Sequence, residues 1–302
     1  MAKPVEHRFG GRWTELKLSA VSYYSEFYTK ALSKQRFDLW YIDAFAGTGD
    51  RTEAQISGGL FEGAPLAVED VTIDGSARRA MAVTPPFKHL IFMEPDATRY
   101  AALRVLADQD DRVECMQGDA NRLLPEIFKR TDWRRGGQRG IVFLDPYGMQ
   151  VESSTLEALA ATKRVDVWYL FPLWIVNRQL ARNASGIDAG KEAALDRIFG
   201  GRSWRTELYA PRPKTDLFDL PSPDGRTVSL KDVERYAWSK LSDVFAWCSE
   251  PLPLYGGSRQ QLYSLFLCLA NDASPAIALA RRVMADLLKR HGASASRHTS
   301  DL

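Results

Sequence analysis

The chain of 302 residues holds only three cysteines, Cys115, Cys248 and Cys268, and no two stand at CxxC spacing. This excludes a clustered cysteine metal site, and the odd, scattered count argues against a disulfide framework. Each lies within an apolar run, the setting of a small buried hydrophobe. No apolar run approaches the roughly eighteen residues of a membrane span. The opening MAKPVEHRFGG lacks the basic-then-apolar pattern of a secretion signal, so a cytoplasmic protein is expected. Neither sign of charge dominates, and the net charge of +2 permits a nucleic-acid partner without requiring one. Helix-turn-helix, zinc-finger and RNA-recognition motifs are all missing. What is present is 45% hydrophobic residues, enough to bury a substantial core.

Short apolar runs ending in an acidic residue recur in order. Leu39 to Phe45 reads as a buried parallel strand that enters a glycine turn, DAFAGTG, and ligands of open α/β sheets sit at such carboxyl ends. Gly47 and Gly49 allow close backbone approach, and Asp43 suits a cationic cofactor such as S-adenosylmethionine better than a pyrophosphate, which disfavours NAD. Together with Phe45 they are expected at the methionine end; the alternative is a simple chain-reversing turn. His89 to Met93 ends in Glu94, placed to read ribose hydroxyls. Val113 to Met116 leads to Gly118-Asp119-Ala120-Asn121, where Asp119 and Ala120 are expected at the adenine and Asp119 is equally an N-cap candidate.

The fourth run, Ile141 to Leu144, ends in Asp145-Pro146-Tyr147-Gly148. Asp145 and the Pro146 carbonyl can accept hydrogen bonds from an amine while Tyr147 stacks on a base, a contact typically worth about 1–3 kcal/mol. A type I turn explains the same tetrad without function. Alternating strands and helices, with helices expected near 65–71, 97–107, 122–129 and 154–162 and a fifth strand at 166–171, imply a doubly wound α/β sheet. A helix is expected from Thr14 to Ser33. Lys17 near its start opposes the macrodipole, which hints at a partner, either a cofactor carboxylate or Asp145, against the commoner solvated lysine.

Residues 38–172 and 230–291 read as one Rossmann-like domain that closes with an antiparallel hairpin and a last helix at 275–291. Residues 1–37 form an N-terminal helical segment, 173–229 an insertion and 292–302 a frayed tail. Arginines cluster at Arg134, Arg135 and Arg139, and again at Arg178, Arg182, Arg202 and Arg205 beside Trp174 and Trp204. Such interleaving suits phosphate contact with base stacking, so Lys17, Arg134, Arg135 and Arg178 are candidate substrate contacts.

The ordered motifs DAFAGTG, IFMEPD, GDAN and FLDPYG resemble class I S-adenosylmethionine methyltransferases that modify base amino groups. More narrowly, TELKLSAVSYYSEFYTKAL, YIDAFAGTG, EGAPLAVE, FLDPYG and QLYSLFLCLAND look like the three-Cys-motif partner family, a resemblance covering most of residues 13–290. It implies a methyltransferase-like fold and a separately encoded three-Cys-motif partner with radical-SAM-like cysteines. Two departures stand out. The tetrad is Asp-Pro-Tyr-Gly rather than Asp-Pro-Pro-aromatic, nearer the Asp-Pro-Phe-Gly of tRNA guanine dimethyltransferases. The segment from Gly49 to the next helix is also longer than the usual tight turn. A non-catalytic cofactor- or nucleic-acid-binding subunit is the competing expectation.

Overall fold

The computed structural model describes residues 12–59, 64–130, 133, 137–181, 186–209, 229–256 and 260–296. Helix α1 (Arg12–Leu32) leads to β1 (Asp38–Asp43), and a hairpin of β2 (Asp50–Gly59) and β3 (Ala64–Asp74) precedes α2 (Ser76–Met81). Then come β4 (His89–Glu94), α3 (Ala97–Ala107), β5 (Val113–Gln117), α4 (Ala120–Arg130), β6 (Gln138–Leu144), α5 (Ser153–Ala161) and β7 (Val165–Phe171). Helices α6 (Leu173–Gln179), α7 (Ala189–Phe199), α8 (Ser203–Leu208) and α9 (Leu230–Val244) follow. The described elements finish with β8 (Trp247–Cys248), β9 (Leu252–Tyr255), β10 (Gln261–Leu269) and α10 (Ser274–Ser296).

The main sheet runs β5-β4-β1-β6-β7-β10-β8, with β9 also paired to β10. Strands β5, β4, β1, β6 and β7 are parallel, whereas β10 is antiparallel to β7, β8 and β9. This is the Rossmann-like methyltransferase fold with its closing antiparallel hairpin. The strand order reverses on either side of β1, and the crevice at such a switch point, outside the carboxyl ends, is where these sheets bind ligands.

Both faces of the sheet are covered, so alternate residues of each strand enter separate cores. On one face Leu39, Tyr41, Phe92, Phe143 and Trp168 pack with Leu18, Val21 and Tyr24 of α1 and Val283 of α10. On the other, Ile42, Met93, Val142, Tyr169 and Phe171 pack with helices α4 to α9. Helices α6 to α8 supply Leu173, Val176, Leu195, Phe199 and Trp204 to this second core, so that part of the 173–229 stretch is a layer of the fold. The Pro-rich run beginning at Ala210 lies outside the described residues.

Two sequence-based boundaries are corrected. Residues 65–71, expected as helix, belong to β3 and pair antiparallel with β2 in a register running from Asp50↔Asp74 to Ser57↔Ala67. Pairing with the preceding strand of the hairpin overrides local helix preference there. The hairpin leaves and rejoins the fold at one place, where the Gly75 amide donates to the Gly49 carbonyl at 3.1 Å. Helix α10 also continues past His291 to Ser296, through alanines that favour helix.

Candidate active site

The acidic strand ends meet at the carboxyl edge. Asp43 continues the Leu39, Tyr41 parity and faces the side of the sheet carrying α1 and α2. It is 0% exposed. Its Oδ1 accepts from the Phe45 amide at 3.1 Å, and its Oδ2 has no partner. Burial pushes this carboxyl up to about 7; the Ser76 hydroxyl, which approaches without completing a hydrogen bond, lowers it, as do the Phe45 amide and Lys17, while Asp145 adds to the rise. A buried carboxylate oxygen without a donor is costly, so a ligand donor or cation would be well placed there.

The turn after β1 carries Gly47 at φ +62° and Gly49 at φ +82°. Gly49 is a packing requirement, because a Cβ there would stand 2.7 Å from Leu106 Cδ1, whereas a Cβ at Gly47 would meet nothing within 4 Å. On β4, Glu94 is buried, and its Oε1 accepts from Asp96 N at 2.9 Å and pairs with Arg99 at 2.7 Å. Asp119 is exposed and receives the Asn121 amide at 2.7 Å, so it caps α4, whose first residue, Ala120, is buried. Capping uses one of its oxygens and leaves the second for a ligand.

At the end of β6, Asp145 also faces α1. Lys17, 4% exposed, forms an ion pair with Asp145 Oδ2, one of the two partnerships its position suggested. The Lys17 ammonium also lies 5.2 Å from the centre of the Trp13 ring, which stacks on Tyr263 at 4.8 Å. Burial raises the Tyr263 phenol, and Asp145 and Tyr147 raise it further, which sets all three side chains in one neighbourhood. The tetrad is not a type I turn: the Gly148 amide donates to the Pro146 carbonyl at 3.0 Å, two residues away, with Gly148 at φ +100°. Tyr147 projects, 74% exposed.

Sequence reasoning missed Asn121. Its Nδ2 donates to the Gln150 carbonyl at 2.8 Å, and its Oδ1 accepts from Glu152 N at 3.1 Å and Thr155 Oγ1 at 2.8 Å. Gln150 Oε1 in turn accepts from the Tyr147 amide at 2.7 Å. The turn at Asp119 and the Tyr147 loop are thereby tied together. The only signal was the fourth letter of GDAN.

Arg134 and Arg135 fall outside the described residues. Arg139, near the start of β6, lies about 20 Å along the strand from Asp145 and sits over the Phe37 ring at 4.4 Å. Arg178 is exposed on α6. Trp204, a candidate stacking residue, is instead 0% exposed, with its indole N–H on Asp196 at 2.8 Å, and Arg202 and Arg205 pair with Glu192. A ring sealed in the core cannot stack on a base.

No protein-family model and no curated protein matches the chain. Among solved structures, protein LPL1258 from Legionella pneumophila, of the DUF519 family, is similar with TM-score 0.52 and 11% identity, covering 92% of each chain. Spermidine synthase from Thermotoga maritima gives TM-score 0.42 and 8% identity over 87% of this chain and 61% of its own. The CurJ carbon methyltransferase gives 0.37 and 12% over 81% and 52%. At 11% identity the likeness to LPL1258 is one of fold.

Proposed function

We propose that the chain is an S-adenosylmethionine-dependent methyltransferase acting on an exocyclic amine of a nucleic-acid base. The observation carrying this reading is the convergence, at one sheet edge, of the partnerless Asp43 oxygen and the projecting Tyr147 ring. The residues present fit the cofactor: Asp43 and the open space at Gly47 would hold its cationic methionine end, Glu94 the ribose and Asp119 with Ala120 the adenine. When bound, S-adenosylmethionine supplies an electrophilic methyl group. Lys17 fixes the Asp145 carboxylate by Oδ2, leaving Oδ1 and the second lone pair of the Pro146 carbonyl to accept from the target amine. Tyr147 would stack on the base, so orientation supplies most of the rate. The resemblance of the sequence adds a three-Cys-motif partner in the cytoplasm to this proposal.

A non-catalytic cofactor-binding subunit is the second reading, favoured by Lys17 occupying the Asp145 oxygen that a target amine could use. Methyl transfer to total RNA and DNA, measured with the chain alone and with the partner, separates the two. The first reading expects label in a base amine by nucleoside mass spectrometry, its loss in Asp145→Ala and Tyr147→Ala, and its retention in Tyr147→Phe. Tight cofactor binding with no transfer under either condition would leave the second.

A further inference from the structure

At the amino edge of the sheet, the end away from Asp43 and Asp145, the neighbouring strands β1, β6 and β7 begin at Asp38, Gln138 and Val165. A row of cations crosses these strand starts. Arg36 stands beside Gly137, whose carbonyl accepts from the Asp38 amide at 3.0 Å. The Arg139 guanidinium sits over the Phe37 ring at 4.4 Å, and the next strand brings Lys163 and Arg164, the latter's carbonyl accepting from the Gly140 amide at 3.2 Å. Lys34, Arg36 and Lys163 are exposed and Arg139 is half-buried, and among the described residues none of these four forms an ion pair with a carboxylate. The acids nearby are engaged: Asp38 pairs with Lys88 at 2.6 Å, and Asp166 is buried and accepts from Tyr24 at 2.7 Å. Burial, and then the charge of Arg164, draw the Arg139 guanidinium below its ordinary range against the opposing pull of Tyr28 and Asp166. An anion placed between the two guanidiniums would relieve that repulsion.

We infer that this edge binds the phosphate backbone of a nucleic acid, with phosphates meeting Arg36, Arg139, Lys163 and Arg164. Planar guanidiniums match phosphate oxygens, and such contacts position a nucleic acid without reading its sequence. Width agrees as well. Adjacent strands lie about 4.8 Å apart, so the three strand starts span about 10 Å, room for about three phosphates of one strand at an axial spacing of roughly 3.4 Å. A membrane surface fits less well, because interfacial binding needs apolar anchors, and the exposed large hydrophobics among the described residues, Val105, Tyr147 and Tyr255, lie on α3, after β6 and at the end of β9. The row is a strand's length from Asp145, so the inference does not depend on the reaction proposed for the carboxyl edge.

Fluorescence anisotropy tests it, with labelled single-stranded RNA of about 20 nucleotides and a DNA duplex of the same sequence titrated with the full chain, without cofactor, over a range of salt. Two double variants remove the same charge: Arg36→Gln with Lys163→Asn at the edge, and Arg281→Gln with Arg282→Gln on α10. All four positions are exposed, and asparagine tolerates the left-handed backbone found at Lys163, φ +57°. The edge variant should bind RNA at least about tenfold more weakly at low salt and flatten the log–log salt slope by about 1.4, two phosphate contacts at roughly 0.7 each. The α10 variant should keep the parent slope. Arg139→Met, which retains an apolar stem over Phe37, should weaken binding in the same direction as the edge variant. Parent-like binding in the edge variant, equal losses in the two double variants, or no binding of either nucleic acid by a chain that does or does not bind phosphatidylserine vesicles would overturn the inference. Edge-dependent binding by a chain that transfers no methyl group would leave it standing while the methyltransferase reading falls.

Discussion

Lys17, in the second turn of α1, reaches across to Asp145 at the end of β6 and is almost wholly buried in doing so. The first helix therefore builds part of the site as well as packing on the sheet. An ammonium excluded from water needs its counter-charge, and a partly exposed carboxylate supplies it.

Lys17→Met is expected to destabilise the chain by about 1–3 kcal/mol, below the range for fully buried pairs because Asp145 retains solvent access. In a double-mutant cycle with Asp145→Asn, urea unfolding should give a coupling of roughly 1 kcal/mol or more. Additive effects would show that the two side chains act separately.

Cofactor affinity should depend on the charge of Asp43. Its folded value near 7 means that the anion is only partly present at neutral pH. Calorimetry should show S-adenosylmethionine binding that tightens from pH 6 to 8, with Asp43→Asn flattening the profile. Stability moves the other way. The folded value exceeds the unfolded value of about 3.9, so this contribution is full below about pH 4 and is lost as pH rises through 7. Asp166, hydrogen-bonded to Tyr24 at 2.7 Å and also raised by burial to about 7, acts in the same direction. Thermal melts of Asp43→Asn and Asp166→Asn should each lose part of that slope; parent-like slopes in both would contradict it.

Asn121→Ala should loosen the loop from Tyr147 to Glu152. Three hydrogen bonds are lost in a partly exposed setting, which points to about 1–2 kcal/mol of stability. Faster amide exchange at Tyr147 and Glu152, with α4 itself unaffected, is the expected signature. Unchanged exchange would make the bridge incidental.

The two turn glycines should separate packing from binding. Gly49→Ala meets Leu106 and a left-handed backbone together, so its melting temperature should fall more than that of Gly47→Ala, which carries only the backbone cost of about 1–2 kcal/mol. Gly47→Ala should instead show its main effect in cofactor calorimetry. Equal melting losses would refute the division.

The strand ends were legible because each joins an apolar run to a carboxylate and parallel strands bring those ends to one edge. Asp43, Glu94 and Asp145 could thus be placed before any coordinates. Lys17 was legible as an oddity, a cation at the wrong end of a helix. The hairpin was not, since 65–71 consists of residues compatible with helix and becomes strand only through pairing with 53–57. Trp204 misled for a related reason: a tryptophan among arginines reads the same whether it faces solvent or donates to Asp196 from the core. Asn121 was silent because its role depends on Gln150 and Glu152, residues remote in sequence and brought close by the fold.

The Gly49–Gly75 hydrogen bond divides the chain into what the sheet must keep and what it can exchange. The stretch from Asp50 to Asp74 is a detour with one doorway, so a longer or shorter hairpin would leave Gly47, Ser76 and Asp43 in their mutual positions. Descendants of this chain could acquire a new outer recognition element at that doorway without re-registering a single strand of the main sheet.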